Sequence, residues 1–277
     1  ALRPLSQAHI SPEDRGFLFA DGVYESIRWY PESGSGTGVL FELGEHVQRL
    51  RRSLDAIRLH DADLAPMLDA LPDLIERNGL HEQHASIYVQ VTRGVAPRTH
   101  AFPGRQTPPT VYARARPFTP LLDLWREGGA AVTVDDDRWG RCDVKSISLL
   151  ANVLANEDAR SRGAFEAIFV REGVVTEGTH TSVAFVRDGV LRTHPSGAHI
   201  LTSVTREIVL GLARDLGVAT EERAVTVDEL ERVDEVFVMG TTTEVLPIVR
   251  LDDRPVGDGQ VGTITRQLQT AYFALHP

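Results

Sequence analysis

The order in which the hydrophobic period changes along the chain is the strongest constraint on its fold. Val23–Tyr30 and Val39–Leu43 read as strands joined by a glycine-rich loop. Gly44–Leu59 changes to helical spacing, with Val47, Leu50, Leu54 and Ile57 on one face. A second helix is expected over Ala65–Asn78, stopped by Gly79. Strands follow at Ser86–Arg93 and Thr110–Arg116, and Pro117–Pro120 forms a proline-bearing linker. Beyond it, strands are expected at Ala130–Asp135, Phe165–Arg171, Val174–Glu177, Ser182–Val186, Val190–His194 and Glu235–Met239. Helices are expected from about Ser146 to Ser161, over Thr205–Leu216 and over Thr263–Ala274. Strict strand–helix–strand alternation is absent, so the pattern predicts an α+β (mixed α/β) chain in two lobes rather than one doubly wound sheet. The expected division is a smaller N-terminal domain over 1–116, a linker over 117–120 and a larger C-terminal domain over 121–277.

A chain of 277 residues, 42% hydrophobic and 25% charged, can bury a substantial core. No stretch approaches the roughly 20 apolar residues of a membrane span, and Ala1-Leu2-Arg3-Pro4 lacks the pattern of an export signal. A net charge of −10 argues against a nucleic-acid binder, which needs a basic face. The single cysteine, Cys142, excludes an intramolecular disulfide and a multi-thiolate metal site. A reducing cytoplasm is the expected location.

Lysine and arginine together number 29, yet Lys145 is the only lysine. Arginine supplies charge and hydrogen bonds but stays protonated and cannot act as an amine nucleophile. Lysine can lose its proton and form a Schiff base. Composition alone leaves that reading level with a chance surface lysine in an arginine-biased chain.

The surroundings of Lys145 contain few rival motifs. Lys145-Ser146 lacks the preceding glycines of a phosphate-binding P-loop, and Gly34-x-Gly-x-Gly leads into a strand rather than a helix. Thr202-Ser203-Val204-Thr205 directly precedes a helix, where hydroxyls and free amides suit a phosphate; the alternative is simple N-capping. Thr241-Thr242-Thr243 follows Gly240 at the end of an apolar strand. Glu177 ends a β-rich run and is either a solvated carboxylate or the partner of a cationic ring nitrogen. Arg98 and His100 lie in a proline-bounded loop and could grip a carboxylate, or be ordinary surface residues. Asp135-Asp136-Asp137 reads as a solvated strand end, and His81-x-x-His84 lacks further ligands, so no metal site is expected. Nor is there a Gly-x-Ser-x-Gly elbow for serine hydrolysis.

Six ordered motifs, spread over nearly the whole chain, resemble those of the fold-type IV pyridoxal-phosphate enzymes, and within them the D-amino-acid aminotransferases. They are Arg15–Glu25, His46–Leu50, Arg141–Ser146, Val175–Gly178, Ile200–Thr205 and Thr241–Glu244. The resemblance implies a two-lobed fold with the active site between the lobes and pyridoxal 5'-phosphate as cofactor. It implies that Lys145 forms the internal aldimine and shuttles the Cα proton, and that Glu177 pairs with the pyridine nitrogen. Arg49, Val204, Thr205 and Thr241 would hold the phosphate, with Leu201 beneath the ring. Tyr24, Arg98, His100 and Thr242 would bind substrate, Arg98 and His100 reaching in from a neighbouring subunit of a homodimer.

The implied reaction is ping-pong transamination of D-amino acids of the alanine or glutamate type with 2-oxo acids such as 2-oxoglutarate or pyruvate. A branched-chain L-aminotransferase, an (R)-amine transaminase and an aminodeoxychorismate-type lyase are the alternatives. Three features depart from the family pattern: His180 stands in a turn that is commonly serine-rich, Ala20 replaces a usual glycine, and the Glu32–Gly38 loop is longer than normal; Arg28 is expected on the site-facing strand with no role assigned.

Overall fold

The computed structural model describes residues 2–104 and 106–277. The chain forms two compact units: residues 2–119 with Val144–Ser148 and Pro277, and Pro120–Asp143 with Leu149–His276. It thus passes from the first unit to the second after Thr119 and returns to the first for the short segment that carries Lys145.

The first unit contains α1 (Arg15–Phe19), β1 (Gly22–Pro31), β2 (Gly38–Leu40), α2 (Leu43–Ala56), α3 (Ala65–Leu68), α4 (Leu71–Arg77), β3 (Ala85–Thr92) and β4 (Thr110–Pro117). Its strands form one antiparallel sheet in the order β2-β1-β3-β4. Val23, Ile27, Ile87, Val89 and Val91 pack with Leu50 and Leu54 of α2 and Leu71 and Ile75 of α4. The alternate positions, including Tyr24, Ser26, Tyr88, Gln90, Tyr112 and Arg114, point to the opposite face, as a period of two requires. One face is therefore apolar and core-facing, the other polar.

The second unit contains α5 (Leu122–Glu127), β5 (Gly129–Asp135), α6 (Leu150–Ser161), β6 (Glu166–Arg171), β7 (Val174–Gly178), β8 (Ser182–Arg187) and β9 (Val190–Thr193). It continues with α7 (Val204–Asp215), β10 (Ala219–Glu222), α8 (Val227–Leu230), β11 (Glu235–Gly240), β12 (Glu244–Leu251), β13 (Arg254–Pro255) and α9 (Thr263–Phe273). Its sheet runs β10-β9-β8-β11-β12-β5-β6-β7, with β13 on β12. The core joins Ile168, Val183, Phe185, Val236, Val238, Leu246 and Ile248. Among the described residues no helix is long and apolar enough to cross a membrane.

Three local expectations change. The run Ala65–Asn78 is two helices, because Pro66 and Pro72 each occupy a first turn; a proline has no N–H for a helix interior and restarts the helix instead. The helix expected from about Ser146 begins at Leu150. Lys145 O accepts from Tyr24 N at 3.0 Å, and Ile147 N donates to Gly22 O at 3.1 Å. Those groups are committed to β1 and are unavailable to a helix. Strand β12 was not among the expected strands; it contains Pro247, a residue that ordinarily argues against a central strand. Pro247 pairs with Phe237 of β11, and the ladder to β5 starts only at Ile248.

Candidate active site

In the first unit, Lys145 is half-buried on the edge of β1. Its backbone N–H donates to Ser53 Oγ at 3.2 Å, and its Nζ lies 4.4 Å from the centre of the Tyr24 ring. Among the described residues that amine has no direct hydrogen bond or ion-pair contact, although its charge acts on the buried Glu25 carboxylate. Because the segment bridges to β1 and turns tightly at Lys145, where Ser146 N donates to Val144 O at 2.7 Å, the side chain leaves a sheet edge rather than a helix face.

On the opposite face of β1, Glu25 is buried with His46 and Arg49 of α2. Arg49 donates to both Glu25 oxygens, Nε at 2.7 Å and Nη2 at 2.9 Å, and His46 Nδ1 lies 2.8 Å from Oε2. Burial alone would raise the Glu25 pKa, but the charge of Arg49 and the hydrogen bonds from His46 and Arg49 outweigh it and lower it to about 2. Burial pushes His46 down from its ordinary 6.5. Arg49 is thus oriented by a carboxylate within its own unit.

Arg98 and His100 are both exposed. Their loop is anchored on α1: Arg15 Nη1 donates to Thr99 O at 2.7 Å, the Arg98 guanidinium lies 5.0 Å from the Phe19 ring centre, and the His100 ring lies 5.5 Å from it. The loop starts at Gly94, whose φ is +88° and where a Cβ would stand 2.1 Å from Pro108 O. Only glycine suits that corner. Ala20, with φ 55°, caps α1 in the left-handed region, where the usual glycine carries no steric penalty. Arg28 is buried, its guanidinium 3.6 Å from the Phe118 ring centre and 4.8 Å from that of Tyr30.

In the second unit, Glu177 ends β7 with both oxygens engaged. Oε1 accepts from Arg138 Nη1 at 2.6 Å, and Oε2 from Leu201 N at 3.0 Å. Arg138 also forks onto Asp136, through Nε at 2.8 Å and Nη2 at 2.9 Å, and Arg171 Nη2 lies 3.1 Å from the same carboxylate. The Asp136 side chain is fully buried, which corrects its reading as part of a solvated run. Burial would raise its pKa, but hydrogen bonds from Arg138 and Arg171 hold it at about 2. Sequence reasoning missed Arg138, Asp136, Glu25 and His46. The i, i+2 spacing of Asp136 and Arg138 and the i, i+3 spacing of His46 and Arg49 were the available signals.

His180 turns toward Glu166, with Nδ1 3.1 Å from Oε2, while Thr179 and Thr181 donate to that buried carboxylate. Ser203 is the N-cap of α7, accepting from Arg206 N at 3.3 Å. The next two residues, Val204 and Thr205, are buried, and no described residue accepts from their backbone amides. Capping therefore explains Ser203 but leaves two oriented donors at a helix N-terminus, which suit an anion. Thr241-Thr242-Thr243 forms the hairpin loop between the paired Gly240 and Glu244; Thr241 and Thr242 are half-buried, and Thr243 O accepts from Trp125 Nε1.

Residues 22–251 match the family model described as amino-transferase class IV. The chain is 41% identical over 268 residues to the D-alanine aminotransferase of Staphylococcus haemolyticus, covering 96% of this chain and 92% of that protein. It is 42% identical over 274 residues to the D-alanine aminotransferase of Bacillus licheniformis, covering 98% and 93%. Among solved structures, the branched-chain amino acid aminotransferase of Escherichia coli superimposes with a TM-score of 0.87 at 27% identity, covering 98% of this chain and 90% of that one. The branched-chain amino acid aminotransferase of Thermobaculum terrenum, in its PLP-bound holo-form, does so with a TM-score of 0.84 at 29% identity, covering 99% and 90%. The chain belongs to the class IV aminotransferases, and its cofactor is pyridoxal 5'-phosphate.

Proposed function

We propose that this enzyme transfers amino groups between D-amino acids of the alanine and glutamate type and 2-oxo acids such as 2-oxoglutarate or pyruvate. The observation that carries the reading is the 41–42% identity, over nearly the full chain, to D-alanine aminotransferases. The branched-chain enzymes share the fold at 27–29% identity, which supports them less.

Each site residue has a part in this reading. When bound, the cofactor supplies an electron sink for the pair left by the departing α-proton. Lys145 Nζ would be the attachment point, and its amine would take the proton from substrate Cα and return it. Glu177, bonded to Arg138, would stabilise a proton on the ring nitrogen. Arg49, Thr241 and the amides of Val204 and Thr205 would hold the phosphate, and Leu201 would pack against the ring. Tyr24, Arg98, His100 and Thr242 hold the substrate, and the orientation of its α-carboxylate selects the enantiomer whose Cα–H faces Lys145. Exposure of Arg98 and His100 supports a homodimer in which they serve the neighbouring subunit. The one buried thiol, Cys142, supports a cytoplasmic location, which cell fractionation would check.

Two measurements test the reading. Wild type should convert D-alanine and D-glutamate much faster than the L-forms; faster turnover of L-substrates would place the enzyme in another branch. Borohydride should trap the cofactor on the Lys145 peptide, and Lys145→Ala should abolish both the trapped adduct and turnover. Trapping at any other residue would remove Lys145 from its role.

A further inference from the structure

The polar face of the first unit's sheet carries a cation that neither the cofactor nor the α-carboxylate accounts for. The register sets Tyr24, Gln90 and Tyr112 in one row across β1, β3 and β4, and Ser26, Tyr88 and Arg114 in the next. Tyr24 lies under the Lys145 amine. The Tyr24 and Tyr88 rings stack, with centroids 5.7 Å apart and 28° between planes, and the Arg114 guanidinium lies 5.6 Å from the Tyr88 centroid. Tyr88 Oη donates to Gln90 Oε1 at 2.7 Å, and its pKa is pushed up to about 12, mainly by burial, so it stays a neutral platform. Lys145, two tyrosines and Arg114 thus form a continuous path on one face.

Three arginines, Arg28, Arg114 and Arg116, share this face with no carboxylate among its strand positions. Arg28 is buried among aromatic rings, and Arg116 is exposed. Arg114 is intermediate: half-buried, in contact with the Tyr88 ring, and without a hydrogen bond or carboxylate partner among the described residues. A guanidinium is always charged and offers a planar fork matched to a carboxylate. Holding it partly desolvated without a counter-anion costs free energy that an anionic ligand would offset.

We propose that Arg114 is a specificity-determining residue that receives the distal carboxylate of a dicarboxylic substrate, of the glutamate and 2-oxoglutarate class. Tyr24 and Tyr88 would carry the methylenes between the two ends. The inference rests on the transaminase reading, which places the reacting carbon at Lys145. Two strand spacings and a two-residue offset along the strands put the Arg114 backbone roughly 12 Å from that of Tyr24. An extended arginine and a diacid close such a gap from its two sides, whereas alanine and pyruvate end short of it.

The test compares holoenzyme with Arg114→Gln and Arg114→Lys in two ways. Steady-state kinetics are measured with glutamate and 2-oxoglutarate against alanine and pyruvate, and calorimetry measures binding of glutarate against butyrate. Arg114→Gln should lose about 10- to 100-fold in kcat/KM on the diacids, chiefly through KM, while alanine and pyruvate stay within about twofold. Its preference for glutarate over butyrate should vanish, and Arg114→Lys should restore part of it. Equal losses on both substrate classes, or retained glutarate preference in Arg114→Gln, would overturn the proposal. Glutarate preference that depends on Arg114 in a wild-type enzyme lacking transaminase activity would instead sink the transaminase reading and leave the carboxylate site standing.

Discussion

Glu177 is held from both sides, by Arg138 on one oxygen and by the Leu201 amide on the other. Charge-assisted bonds of that kind fix the orientation of a carboxylate and keep it ionised. Replacing it with glutamine preserves shape and removes the charge that would stabilise a proton on the ring nitrogen. Glu177→Gln is therefore expected to slow removal of the Cα proton by on the order of 100-fold, with a much smaller effect on cofactor affinity. Rapid-mixing half-reactions and cofactor titration separate the two quantities. Unaltered half-reaction rates would leave Glu177 as an ion-pair residue of the β7 end and nothing more.

At the scale of elements, β1 and α2 are joined by a buried charge cluster inside an otherwise apolar interface. Glu25 points to the core side of β1, where alternation would ordinarily place a hydrophobic residue. Removing it strands the buried Arg49 cation. Glu25→Ala should destabilise the protein by about 3–5 kcal/mol, read as a lower urea midpoint. The cluster also sets the acid limb. The Glu25 pKa falls from 4.5 to about 2 on folding, so its stabilisation is complete above about 4.5 and is lost as pH falls toward 2. His46, lowered by burial, acts in the same direction below its ordinary 6.5, because the unfolded chain takes up that proton more readily. Glu25→Gln should flatten the acid limb of a stability–pH profile; an unchanged limb would mean that other groups govern it.

For the whole molecule, the testable claim is assembly. Leu150, Val153 and Leu154 on α6 are all more than half exposed, as are Phe17 on α1 and Phe102 in the loop of Arg98 and His100. Apolar surface of this kind suits a subunit interface. Lys145→Ala and Arg98→Ala variants, each impaired alone, should complement when mixed and refolded together. In a hybrid dimer, one intact Lys145 would be served by the intact Arg98 of its neighbour. Random reassortment should restore roughly a quarter of wild-type activity. No recovery from demonstrably mixed dimers would show that Arg98 serves its own subunit.

What the chain revealed by composition and period was the lone lysine, most of the longer strands and helices of each half, and two hydroxyl-rich turns beside α7 and β11. These are local properties: alternation of side chains, capping residues and the absence of a second amine survive without knowledge of distant neighbours. Tertiary structure alone decided that Val144–Ser148 runs along β1, because its backbone partners lie over a hundred residues earlier. It also decided which arginines matter. Glu177 is 39 residues from Arg138, Asp136 is 35 from Arg171, and Arg114 shares a face with Lys145 only through the register of three strands. In a chain whose cations are almost all guanidinium, residue type cannot distinguish a solvated arginine from a buried partner. Proximity and desolvation make that distinction, and both arise only when the chain folds.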